Sequence, residues 1–265
     1  METLRIYFKL LRISLLGRMQ YRADFLTGMV SVILLNSILL SAMGLLVNRF
    51  QHLHGWRVWD LVFLYGLWVG GHSLYSLLFW HLFMMEDFIV EGRFDQMLIR
   101  PIGVLVQFLG QGIQYMGVGD MLVSAGAISL AYRNLGLQWG IWQWLFLWVA
   151  VLSGTVIETS TYWIIGSLSF WTGRSRAGTN IVVRFMVLVQ QYPVDLFGTW
   201  FRWVVTGLIP VAFMNYYPAL LLLGKLEKAP YPWMAFLSPV VAGAMLAAAY
   251  GVWRMGLRRY ASSGS

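Results

Sequence analysis

Asp120, Glu158 and Asp195 are acidic side chains set inside or beside long apolar runs of this chain. An ionisable group at membrane depth is expensive and is a functional candidate by default. These three are therefore the candidates for handling a proton or an ion. Glu158 lies in a polar run with Ser153, Thr155, Thr159, Ser160 and Thr161, a composition suited to a wet helix face. Asp120 follows Gly117 and Gly119 and also reads as a residue close to an interface. Asp195 has Arg202 within reach in sequence, which points to a structural pair. For each of the three, satisfaction inside the fold is the plainer reading. His72 and His81 sit in apolar sequence and read as interhelical hydrogen bonders. His52 and His54 form an HxH pair, but zinc sites use three or four ligands, so no metal is expected.

A second concentration of chemistry is the stretch 85–101, MEDFIVEGRFDQMLIRP, which holds Glu86, Asp87, Glu91 and Asp95, four of the chain's 11 acidic residues. Phe88, Phe94, Met97 and Leu98 are interleaved with them. The pattern predicts a short amphipathic helix that ends before Pro101, because proline disfavours helical geometry in the residue before it. Such a segment has charges for a soluble partner and apolar side chains to anchor it. A solvated loop is the plainer alternative, since the four acids cover two helical faces. Elsewhere the sequence excludes chemistry. There is no cysteine, hence no disulfide and no thiolate. There is no GxxxxGK[ST] loop to cradle phosphate, and neither HExxH nor GxSxG occurs. No catalytic residue and no cofactor are expected in the chain itself.

The elements that must carry these residues follow from composition. Of 265 residues, 59% are hydrophobic and 11% charged, against roughly 25% charged in soluble domains. Lipid is the natural solvent for such a chain, because helices satisfy their backbone groups internally. The predicted fold class is an all-α integral membrane protein with six spans: about 25–47, 59–84, within 104–131, 141–170, one span drawn from 179–223, and 234–255. The region 179–223 is ambiguous, with apolar pieces at 179–192 and 203–223 separated by YPVDLFGTWFR. Treating both as full spans gives seven crossings and puts Arg254, Arg258 and Arg259 outside. Six crossings put these arginines inside with Arg93, Arg100, Arg174, Arg176 and the basic N-terminus, as the positive-inside rule requires. The formal charge of +8 is thereby explained by membrane orientation, and nucleic acid is not expected as a partner. Ahead of the first span, residues 3–16 place Arg5, Lys9 and Arg12 on one helical face and Leu4, Phe8, Leu11 and Leu15 on another. A basic amphipathic helix of this kind lies in the interface against membrane lipid.

The order of these features carries a resemblance. The basic amphipathic N-terminus leads into YRADFLTGMV, VEGRFDQMLIRPIG follows the second span, and LIPVAFMNYYPALLLLGK comes late. The chain resembles the membrane subunits of bacterial type-2 ATP-binding-cassette (ABC) exporters, permeases that pair with a separate ATPase. The resemblance covers nearly the whole chain and is most specific at 92–101 and 210–224. It implies a single six-span membrane domain over 23–265, preceded by an interfacial helix over 1–22. The segment 86–100 is then a cytoplasmic coupling helix between spans 2 and 3. Its ATPase-docking residues are Glu86, Asp87, Glu91, Gly92, Arg93, Phe94, Asp95 and Arg100. The segment 193–224 is then partly re-entrant on the outer side. The implied partners are ABC ATPase subunits, which hold ATP and Mg, and a second permease, identical or paralogous. The implied location is the bacterial cytoplasmic membrane with both termini inside. Two other classes compete. A proton- or ion-coupled secondary transporter would use Asp120, Glu158 or Asp195, although no internal repeat is evident. A lipid-modifying enzyme lacks an acid, base and nucleophile cluster.

Overall fold

The computed structural model describes residues 22–50 and 55–260, together with Tyr7, Lys9, Leu11 and Gly17. Arg5, Arg12, His52 and His54 lie outside the described residues, as does most of the interfacial helix. Of its basic side chains Lys9 is described, helical and exposed.

The described residues form helices and contain no strand. The long elements are α1 (Arg22–Phe50), α2 (Val58–Phe79), α6 (Met116–Asn134), α7 (Ile141–Ser167), α9 (Arg176–Gln191) and α12 (Ser238–Arg259). Shorter helices connect them: α3 (Met85–Val90), α4 (Arg93–Leu98), α5 (Val104–Leu109), α8 (Ser169–Thr172), α10 (Thr199–Trp203) and α11 (Tyr216–Leu222). Among the described residues four helices are long and apolar enough to cross a bilayer: Ala23–Leu45, Val58–Val90, Ile141–Thr172 and Ser238–Arg259. A bent pair, Thr199–Leu208 and Val211–Leu222, meets at 81° and makes a fifth if it counts as one span.

Helix α2 is the hub. Leu61 to Val69 along it are buried, and its glycines allow backbones on both sides to come close. A Cβ on Gly66 would sit 3.0 Å from the Ala127 side chain of α6, and one on Gly71 3.2 Å from the Thr155 nitrogen of α7. On the facing helix, a Cβ on Gly117 would meet the Ser73 carbonyl at 2.5 Å and the Leu77 nitrogen at 2.7 Å. Small residues at such crossings are how membrane helices pack without a hydrophobic driving force between them. The contacts also fix direction. Helix α6 runs antiparallel to α2, with Gly66 near Ala127 and Gly117 near Ser73. Helix α7 runs parallel to α2, with Phe63 near Trp139 and Tyr75 stacked on Tyr162 at 4.9 Å. Helix α12 follows α7 in the same sense, from the Phe146–Phe236 pair to the Trp163–Trp253 pair. Helix α1 lies at the side of this core with most of its apolar residues exposed.

The sequence reading differs from the structure in two spans. The stretch 104–131 is not one continuous helix. It breaks between α5 and α6, where Gly112 adopts φ 150°, a conformation open to glycine. Helix α6 also falls short of the four apolar spans, because its glycines, serines and Asp120 dilute it. In the ambiguous region, α9 is a 16-residue amphipathic helix, roughly 24 Å long at 1.5 Å per residue. The bent pair that follows brings Met214 against Gly154, about midway along α7, and Lys225 back to Asp60 at the start of α2.

Candidate functional site

At the end of α2 the chain makes an elbow. After Phe79 it tightens into a 3-10 turn, Trp80–Met84, and then forms α3 and α4. The two short helices are joined by Glu91 and Gly92, and Gly92 is left-handed at φ 67°. A residue with a Cβ is strained there, so the glycine sets the bend. Gln107 of α5 closes the far side, donating from Nε2 to the carbonyls of Met97 at 2.9 Å and Ile102 at 2.7 Å.

The eight residues expected to form the coupling helix divide by role. Glu86 faces the start of α9, accepting the backbone N–H groups of Ser175 at 2.6 Å and of Arg176, and the Ser175 hydroxyl at 3.3 Å. A carboxylate at a helix N-terminus satisfies orphan donors and meets the positive end of the dipole. Asp87 accepts from Arg176 Nη2 at 2.6 and 2.8 Å. Arg93 pairs with Glu91 at 2.8 Å and lies 4.1 Å above the Phe88 ring. Phe94 is fully buried, edge-on to Phe170, Trp253 and Tyr260 at 5.2–5.6 Å. It anchors the elbow to the ends of α8 and α12. Asp95 lies beside Tyr260, and burial, then this carboxylate, pushes the Tyr260 hydroxyl up to about 12. Beyond the 3-10 turn the elbow exposes Val90, Glu91, Gln96, Leu98, Ile99 and Arg100, with Ile99 84% accessible.

The acidic residues of the spans occupy separate places. Glu158 is fully buried on α7, with Oε1 2.7 Å from His72 Nδ1 on α2, while Oε2 has no hydrogen-bond partner. The polar run around it does not line a wet face. Ser153, Thr155, Thr159, Ser160 and Thr161 are buried, and four of them hydrogen-bond to backbone carbonyls. Thr155 also reaches across to the Gly71 carbonyl at 2.9 Å. Asp120 is buried on α6 and not at an exposed helix end. Its Oδ1 accepts from Asn36 Nδ2 of α1 at 3.0 Å, and Asn36 Oδ1 accepts from the Tyr65 hydroxyl of α2 at 2.5 Å. Asp195 accepts from Trp56 Nε1 at 3.0 Å and pairs with Lys228 at 3.5 Å. The expected partner Arg202 is not engaged, because the 3-10 turn at Val194–Leu196 turns Asp195 back toward the start of α2. His72 bridges helices as expected. His81 does not: both ring nitrogens are buried without a partner, and the ring packs edge-on against Phe108. Among the described residues no three His, Asp or Glu side chains are grouped to hold a metal.

Asn36, Tyr65 and Arg176 escaped the sequence reading as site residues. Asn36 had a usable signal, since it is a lone amide within an otherwise apolar span. Arg176 counted only toward orientation, and its tie to Asp87 depends on how α7 and α9 turn. Neither the comparison with curated proteins nor that with solved structures gave a match. The family model described as ABC-2 family transporter protein matches residues 31–264, nearly the whole of this multi-pass helical chain. The chain therefore belongs to the ABC-2 family of transporter membrane proteins.

Proposed function

We propose that this permease is the membrane subunit of an ATP-driven exporter in the bacterial cytoplasmic membrane. It works as a dimer of permeases, with ATPase subunits docked at the elbow and at the interfacial helix. Those subunits bind ATP with Mg and hydrolyse the ATP. Six crossings, both termini inside, account for the distribution of basic residues. Spans three and five are then α6 and α9, and 193–224 is a re-entrant segment on the outer side.

The observation that carries the reading is the construction of the elbow. It is continuous with α2, tied to α9 through Glu86 and Asp87, and packed on α12 through Phe94. A push on its exposed face would therefore reach three long helices at once. That face mixes apolar Val90, Leu98 and Ile99 with charged Glu91 and Arg100, a composition suited to a protein partner. The experiment is a mild-detergent pull-down of the tagged chain from its host, beside an Ile99→Asp variant. A Walker-motif ATPase recovered with the parent and lost with the variant is the expected result. A chain that purifies without any ATPase in several detergents, yet transports on a proton gradient, would replace this reading with a secondary transporter.

A further inference from the structure

A cleft of about 250 Å³ opens between α1, α2 and α6. Asp120, His72, Asn36 and Tyr65 line its polar side, and Trp68 and Trp80 contribute aromatic walls. The rest is mainly aliphatic, and the lining holds no lysine or arginine. Glu158 stands directly behind His72.

Charge in the cleft does not balance. Two carboxylates, Asp120 and Glu158, face one imidazole. Even a protonated His72, committed to Glu158, leaves Asp120 without a counter-charge of its own. Asp120 is only 7% exposed. Its Oδ1 accepts from Asn36, and its Oδ2 makes no hydrogen bond among the described residues. A carboxylate so withdrawn from water is neutralised either by a proton or by a cation that enters the cleft. The walls decide which kind. A small metal ion needs several ligands, and among the described residues no three His, Asp or Glu side chains are grouped to hold one. His72 covers one face of the buried Trp68 at 4.7 Å, and Trp80 stands partly exposed. Indole faces attract diffuse organic cations, and the aliphatic surround takes up their apolar bodies.

We infer that this cleft is a binding site for an amphipathic organic cation, with Asp120 as its counter-ion and the tryptophans as its aromatic wall. As a statement about cargo it rests on the permease reading. As a statement about binding it concerns this chain alone, and the test separates the two.

The test uses the purified full-length chain with whatever subunits accompany it. Equilibrium dialysis measures tetraphenylphosphonium against tetraphenylborate, an anion of the same shape. Saturable binding of the cation is expected, at least tenfold weaker in Asp120→Asn, with no such change for the anion. Equal cation binding by parent and variant, or saturable anion binding of equal strength, overturns the site. If the variant does not fold, the parent is labelled with a hydrophobic carbodiimide and Asp120 modification is read by mass spectrometry. Protection by the cation and not by the anion supports the site, and absence of protection overturns it. Failure here leaves the ATPase pull-down result intact. Cation binding by a chain that recruits no ATPase leaves the site standing and removes the exporter.

Discussion

Glu86 on α3 accepts the first free backbone N–H groups of α9, so the cap of one helix is supplied by the elbow of another. The neighbouring pair of Asp87 and Arg176 is more exposed, with Arg176 58% accessible. Surface pairs contribute about 0–1 kcal/mol, whereas losing a cap costs about 0.5–2 kcal/mol. Glu86→Ala is therefore expected to lower thermal stability more than Asp87→Ala. The melting temperatures of the two variants in one detergent decide the order, and a larger loss in Asp87→Ala would contradict it.

Phe94 and Ile99 lie close in sequence and should behave oppositely. Phe94 is enclosed by three aromatic rings, and large-to-small replacement at such a site costs about 3–5 kcal/mol. Phe94→Ala should reduce the yield of folded protein. Ile99→Asp, at an exposed position, should keep the parent's yield and elution profile while losing transport. A poorly folding Ile99→Asp, or a Phe94→Ala with parental stability, would show that the buried and exposed faces are wrongly assigned.

Gly117 is the tightest point of the α2–α6 crossing. An added methyl meets Ser73 and Leu77 backbone atoms, which cannot step aside as a flexible side chain can. Gly126 on the same helix has open space around its would-be Cβ. Gly117→Ala should lower the melting temperature clearly. Gly126→Ala should leave it unchanged or raise it slightly, since alanine gains about 0.5–1 kcal/mol over glycine within a helix. Equal effects at both positions would count against this crossing.

Glu158 and His72 should be unequal to single removal and mild to neutralisation. His72→Ala leaves a fully buried carboxylate unpaired, a change that costs about 3–5 kcal/mol. Glu158→Gln keeps an acceptor for His72 and removes the charge. The variant His72→Ala/Glu158→Gln is expected to be more stable than His72→Ala alone. Thermal unfolding of the set gives the answer, and no recovery in the double variant would mean that the carboxylate is not the source of the loss.

The helical class and the apolar spans were legible because they depend on local composition. So was the segment 85–101 as a break in the apolar pattern, since its charges interrupt every period. What the sequence hid depended on turns. Asp195 looks toward Arg202 along the chain, yet the 3-10 turn directs it to Trp56 and Lys228. The alternating charge around Phe94 masks a buried position. Its burial requires α8 and α12 to arrive from far along the chain. The break at Gly112 was hidden for a related reason. Several glycines in 104–131 permit a break, and nothing local selects which one takes it.

Helix α1 is the span that shares least of its surface with its own chain, with 6% of its apolar window buried. It is fastened by the Asn36 amide, by Phe25 and Gly28 against Tyr115, and by the close approach of Gly119 to Met29. A span held at few points can answer hydrophobic mismatch by leaning. One wall of the Asp120 cleft is this helix, so such a lean would change the width of the cleft.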